Sequence, residues 1–285
     1  MENFDLFGNK IEERVLLRVK FIEPPFSVLD TKGGNWQNRK RKWKELGIKS
    51  EVGRDVKCFH NSNWINDKKG GNFSDTSIFD PVLCELVYKW FCPENGSILD
   101  PFAGGSVRGI VANYLGYKYT GIDIREEQIA SNIEQAMEIC PENSPIYYCG
   151  DSNKTLDLID HSFDLVFSCP PYADLEVYSD IEGDISNMPY EDFLTAYRSI
   201  IKKSCKLLKK NGFAVFVVGE VRDKKGNYIG LVPETIKAFR DCGLSYYNEA
   251  ILLNSIASAS MRASKQMEAS KKLCKVHQNV LIFKK

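Results

Sequence analysis

Apolar residues recur at helical spacing in "IFDPVLCELVYKWF", from residue 78 onward. That spacing predicts an amphipathic helix, with Pro81 tolerated in its first turn. Beyond it, short apolar runs alternate with helical patterns. "GSILDPF" gives a strand over 97–100 and "GSVRGIVANYLG" a helix ending at Gly116. "YKYTGIDI" is a second strand and "EEQIASNIEQAMEI" a second helix, followed by strands in "IYYCGDS" and "FDLVFSCPP". "YEDFLTAYRSIIKKSCKLLKKNG" reads as a long helix ending at Gly212, and "FAVFVVGE" as a buried strand. "VPETIKAFRDCG" is a further helix, and "SYYNEAILL" and "HQNVLIFKK" are the last strands. Strands alternating with helices predict a doubly wound α/β sheet whose ligands bind at the carboxyl ends of the strands.

The N-terminal pattern is less regular. "RVLLRVKFI" (14–22) reads as a strand stopped by Pro24 and Pro25, and residues 39–46 as a short helix. Residues 1–75 are therefore expected to be an irregular extension and 76–285 the folded domain, with 254–276 as an inserted basic loop. The chain has 285 residues, enough to bury a sizeable core, and equal numbers (38) of basic and acidic residues. Its neutrality argues against a uniformly basic nucleic-acid binder and leaves room for local patches. The nine cysteines show no zinc spacing, so no metal site is expected. Their odd count and scatter, with no membrane-length apolar run or signal peptide, point to a cytoplasmic protein that meets no membrane.

Chemistry concentrates at the predicted strand ends. In "LDPFAGGSVRG" (99–109), Gly104 and Gly105 permit a sharp turn and close approach of a ligand to the backbone. The pattern is neither the dinucleotide fingerprint nor a P-loop, which disfavours phosphate binding. Asp123 ends the second strand, where a carboxylate can accept from both hydroxyls of a ribose. Asp151 ends the third, within reach of an adenine amino group. Either alone is more often a helix cap; with Asp100 they make three acids at successive strand ends. After the fourth strand, "SCPPY" adds two rigid prolines and an aromatic.

The ordered set "DPFAGG", "GIDI", "GDS" and "SCPPY" resembles the S-adenosylmethionine-dependent DNA amino-methyltransferases, which methylate adenine N6 or cytosine N4. It is particularly similar to a phage-type group that also carries "SIFDPVLCELVYKW", "VGEVRDKKGNYIGL" and a terminal "HQNVLIF". The motif order is gamma-like. The resemblance implies a Rossmann-like seven-stranded sheet, mostly parallel, with its last strand inserted antiparallel. It implies a methionine site lined by Asp100, Phe102, Ala103 and Gly104, with Pro101 and Gly105 counted among the cofactor-binding residues. Asp123 would hold the ribose, Ile124 the adenine face and Asp151 the adenine amino group. Thr76, Ser77 and Phe79 would lie near the cofactor carboxylate, and Ser168 is counted with the same set.

The resemblance assigns catalysis to Cys169, Pro170, Pro171 and Tyr172. An exocyclic amine is a weak nucleophile because its lone pair is delocalised, and hydrogen-bond acceptors for its N–H groups aim the nitrogen at the methyl. In the family one acceptor is the first side chain of the motif and the other the carbonyl of the first proline, here Pro170. Tyr172 would stack on a base flipped out of duplex DNA. This chain departs from the family at Cys169, where Asp, Asn or Ser is usual. Cys is closest in size to Ser, which leans towards cytosine N4. A second reading makes Cys169 a nucleophile on cytosine C6, leading to C5 methylation; a third lets it only fill space.

Around this site, "ADLEVYSDIEGDISNM" (173–188) is expected to close over the flipped base, and Glu220 or Arg222 to reach the base or a neighbouring loop. Two basic stretches, "NRKRKWK" with Arg39, Arg41 and Trp43, and "MRASKQMEASKKLCK" with Arg262, Lys265 and Lys271, are expected to grip phosphates. Competing classes are an RNA methyltransferase and an inactive DNA- or cofactor-binding protein. Target sequence and any partner restriction nuclease are not encoded in a transferable way.

Overall fold

The computed structural model describes residues 17–49, 79–172, 181–223, 225–254 and 259–285. Its framework is one eight-stranded sheet with helices on both faces. Helix α1 (Leu17–Phe21) precedes a short strand β1 (Val28–Asp30) and helix α2 (Gly34–Glu45). The regular alternation then runs α3 (Pro81–Phe91), β2 (Ser97–Asp100), α4 (Val107–Tyr114), β3 (Lys118–Asp123), α5 (Glu126–Ile139) and β4 (Ile146–Cys149). It continues with α6 (Ser152–Thr155), β5 (Phe163–Ser168), α7 (Tyr190–Leu207), β6 (Leu208–Val218), α8 (Leu231–Asp241), β7 (Ser245–Leu253), α9 (Ala259–Ser270) and β8 (His277–Lys284).

The strand order is β1-β7-β8-β6-β5-β2-β3-β4, and β8 alone runs antiparallel to its neighbours. Strand β2 lies between β3 and β5, so the chain reverses its direction of travel across the sheet at that point. A crevice opens there at the carboxyl ends of the strands. Because β8 is antiparallel, its first residues reach that same edge: Asn279 is opposite Val218, the last residue of β6.

Each face of the sheet has its own core. One packs Phe193, Tyr197 and Phe239 from α7 and α8 against Leu99, Phe163 and Phe216. The other packs Trp36, Leu86 and Tyr88 from α2 and α3 against Ile98, Phe167 and Val215. Helix α3 is buried continuously from Pro81 to Tyr88, and its Asp80 cap accepts from the Val82 amide at 3.0 Å. Burying a Leu or Val of this kind is worth roughly 1.5–3 kcal/mol, which makes α3 a principal tie between the sheet and the N-terminal segment.

Four expectations are corrected. The described end of "RVLLRVKFI" is helical, not extended. Residues 28–45 are no separate extension: β1 adds an eighth strand beside β7, and α2 shares the core of α3. Helix α7 stops at Leu207, before the Lys-Lys-Asn-Gly run, which joins β6 instead. The Lys285 Nζ donates to the carbonyls of Cys205 (2.6 Å) and Leu208 (2.5 Å), closing the helix end with a cation. The stretch 254–276 is no simple loop, because it contains α9.

Candidate functional site

The turn after β2 is built on one buried carboxylate. Asp100 is fully buried, and its Oδ2 accepts from the Arg108 Nε (2.5 Å) and the Tyr119 hydroxyl (2.7 Å). Its Oδ1 accepts from the Ser168 hydroxyl (2.5 Å) and the Phe102 amide (3.1 Å). The Arg108 Nη2 donates to the carbonyls of Phe102 (2.5 Å) and Ala103 (2.9 Å), and its guanidinium lies 4.6 Å from the centre of the Phe79 ring. Burial works most strongly against the Arg108 charge, but Asp100 with Tyr119 and Cys169 together outweigh it and hold the guanidinium well above its ordinary value. Asp100 and Ser168 therefore sit beneath the turn and fix its shape. Phe79, half-buried, packs edge-on to Phe167. Arg108 went unrecognised, although a charge within the apolar run "SVRGIVANY" was a signal that it must be paired.

Above this node the turn faces Asp123. Gly104 has a φ of 51°, in the left-handed region, and its amide donates to Asp123 Oδ2 at 2.8 Å. The Arg125 amide donates to Asp123 Oδ1 at 2.9 Å. Burial raises the Asp123 pKa from 3.8, and the two amides and Arg125 oppose that rise. The carboxylate keeps acceptor capacity beyond these two bonds. A glycine turn beside a half-buried carboxylate fits a ribose bearing two hydroxyls.

Asp151 caps α6 by accepting from the Asn153 amide at 2.8 Å. The cap alternative is thus realised, and Asp151 also stands beside the segment that folds over Ile124. Gly183 carries a φ of 95°, and a Cβ there would lie 3.4 Å from Ile124 Cδ1 and 3.5 Å from Asp151 Cβ. Residues 181–188 therefore form a rim along Asp123, Ile124 and Asp151. Residues 173–180 of the expected closing loop, together with Thr76 and Ser77, lie outside the described residues.

Cys169, Pro170, Pro171 and Tyr172 leave β5 at the same edge. Pro170 is buried, and the other three are half-buried. The Cys169 sulfur and the Tyr172 hydroxyl are 3.7 Å apart. Tyr172 lies over Gly219 at the end of β6, where a Cβ would touch the ring at 3.6 Å. Glu220 and Arg222 do not point at this loop. Glu220 accepts from the amides of Val232 (2.6 Å) and Gly230 (3.2 Å) at the start of α8, a demand set by four unpaired helix N–H groups. Arg222 donates to the Gly226 carbonyl and stacks 3.9 Å over Tyr228.

The two basic stretches diverge. On α2, Arg39 pairs with Glu85, and Trp43 is buried with its Nε1 donating to the same carboxylate at 3.0 Å. Trp43 is thus part of the core and Arg39 is tied to Glu85 at its edge, while Arg41, bonded to Asn38, stays exposed. On α9 and just after it, Arg262, Lys265 and Lys271 are exposed, with no ion pair among the described residues.

No protein-family model matches the chain. It is 32% identical over 220 residues to the release factor glutamine methyltransferase of Fusobacterium nucleatum subsp. nucleatum, covering 74% of this chain and 54% of that protein. It is 32% identical over 71 residues to the type II methyltransferase M.SfiI of Streptomyces fimbriatus, covering 25% of this chain and 17% of that protein. The chain thus spans about half the length of the first relative and much less of the second. Among solved structures, TrmN from Thermus thermophilus aligns with a TM-score of 0.50 at 13% identity, over 74% of this chain and 51% of that one. The chain has the Rossmann-like fold of the class I, S-adenosylmethionine-dependent methyltransferases. No described helix is long and apolar enough to cross a membrane.

Proposed function

We propose that the protein is a DNA methyltransferase that moves a methyl group from S-adenosylmethionine to the exocyclic amine of a flipped cytosine or adenine. The observation that carries this reading is the placement of Cys169–Tyr172 at the end of β5, across the crevice from Gly104 and Asp123. S-adenosylmethionine would supply an electrophilic methyl group. Asp123 accepts from the ribose, Ile124 faces the adenine, and Gly104 and Gly105 admit the methionine part close to the backbone. The Pro170 carbonyl, stiffened by its ring, accepts from the target amine, and Tyr172, packed close to Gly219, offers a ring face to the base. The alkylated nitrogen then loses its proton to solvent, so no strong base is required.

A second reading has its own support, the 32% identity to a release factor glutamine methyltransferase over most of this chain. A side-chain amide nitrogen is planar and weakly nucleophilic like an exocyclic amine, so the same loop would serve it. Incubating the purified protein with tritiated cofactor and duplex DNA, RNA or a glutamine-bearing release factor distinguishes the two. Label in DNA, found by mass spectrometry as N4-methylcytosine or N6-methyladenine, is the expected result. 5-Methylcytosine would instead assign Cys169 as a nucleophile, and label in protein or RNA alone would refute the DNA reading.

Tyr172→Ala is expected to lower turnover by a factor on the order of 10² or more with cofactor affinity unchanged. Asp123→Ala should do the reverse. Because burial already raises the Asp123 pKa, acidification should weaken cofactor binding from a pH above 3.8, the group's ordinary value. The Asp123→Asn variant should lose that pH dependence in a titration of cofactor affinity.

A further inference from the structure

The terminal "HQNVLIF" strand has no part in the function proposed above, yet its antiparallel course brings it to the site. Residues 277–279 begin β8 at the carboxyl edge of the parallel strands, beside Val218 and Leu253. Side chains alternate along a strand, so Gln278 faces opposite to His277 and Asn279. Asn279 donates to Glu249 at 2.6 Å, on the β7 side. The Gln278 Nε2 donates to the Tyr172 hydroxyl at 2.6 Å, across 106 positions of sequence.

An amide N–H can only donate, so the Tyr172 oxygen accepts from Gln278 and its own proton is not used in that contact. The Cys169 sulfur lies 3.7 Å from the same hydroxyl; as a thiol it can donate or accept, and as a thiolate it can only accept. We infer that Gln278 is a positioning residue, which locks the Tyr172 ring beside Gly219 and keeps its hydroxyl proton available to a Cys169 thiolate. The role in catalysis rests on the stacking function proposed for Tyr172; the hydrogen-bond chain itself does not. In this chain, the departure from the usual first residue of the motif has a physical partner.

Two measurements separate the inference from the function beneath it. The first needs no substrate: alkylation of Cys169 by iodoacetamide, followed by mass spectrometry of the peptide containing it. Donation from Tyr172 stabilises the thiolate that reacts, so Tyr172→Phe and the near-isosteric Gln278→Leu should each slow alkylation by about fivefold. The double variant should be no slower than either single one. Gln278→Glu keeps the volume but accepts the tyrosine proton when ionised, so it should slow the reaction at least as much. Normal alkylation in both Gln278 variants, with unchanged thermal unfolding, would overturn the inference even if Tyr172→Phe is slow. The second is kinetic, on whichever substrate takes label: Gln278→Leu should lower kcat by about tenfold and leave the KM for S-adenosylmethionine unchanged. An equal rise in that KM would mark a general loosening of the edge and refute a positioning role. Absence of methylation by the wild-type protein would sink the proposed function and leave the alkylation result standing.

Discussion

Helices α2 and α9 carry nearly the same sequence signal, a run of basic residues, and the fold uses them in opposite ways. On α2, Trp36, Arg39, Lys40 and Trp43 recur at the spacing of one helical face, and all four meet acids of the α3 segment. The Trp36 Nε1 and Lys40 Nζ reach Asp80 at 3.2 and 2.8 Å, and Arg39 and Trp43 converge on Glu85. On α9 the bases have no such facing partner among the described residues and stay in solvent. Basic residues become structural when an aromatic stripe turns them towards buried carboxylates. Without that stripe they remain available for phosphate.

Substitutions can break the contrast. Trp43→Ala should have the largest effect, a destabilisation of about 3–5 kcal/mol on chemical denaturation, from the cavity and the stranded Glu85 bond. Arg39→Ala should follow at about 1–2 kcal/mol, since Arg39 is partly exposed and solvent screens the pair. Neither should change the salt dependence of DNA binding, and a flatter salt dependence in either variant would show that α2 grips DNA after all. Replacing Arg262, Lys265 and Lys271 together by Ala should leave the midpoint of unfolding in place. It should flatten the plot of log affinity against log salt by about 3, near one unit for each phosphate no longer neutralised. An unchanged slope would mark α9 as merely solvated. The smallest effect is expected for Arg41→Ala, within about 0.5 kcal/mol in stability. Whether that substitution alters the salt slope decides if the exposed side of α2 joins α9 in binding.

The glycine turn and the Pro-Pro-Tyr loop also differ from their supports in how far they could be read in advance. Gly104, Asp123 and the "SCPPY" run announce themselves, because strand-end acids, paired glycines and prolines have few other uses in such an order. The supports beneath them were harder to see. Arg108 reads as an ordinary helix residue until Asp100 is found at 2.5 Å, and Ser168 reads as a cleft residue until its hydroxyl is found on the same carboxylate. Glu220 and Arg222 read as contacts of the base or of a neighbouring loop, and the bonds to Gly230, Val232 and Gly226 realise the second. In each case the signal lies in the pair.

The alternation of strands with the long helices α3, α4, α5, α7 and α8 follows from local patterning, whereas α6 and α9 do not announce themselves in it. Hydrophobic period, proline and glycine act over a few residues, and those residues are contiguous. Tertiary structure decided what depends on pairing: that β1 completes the sheet beside β7, that α7 stops at Leu207 under Lys285, that Asp100 is a buried anchor, and that Gln278 comes to hold Tyr172. A buried polar group must find a partner wherever the chain provides one, and a one-dimensional pattern does not say which partner the fold brings near.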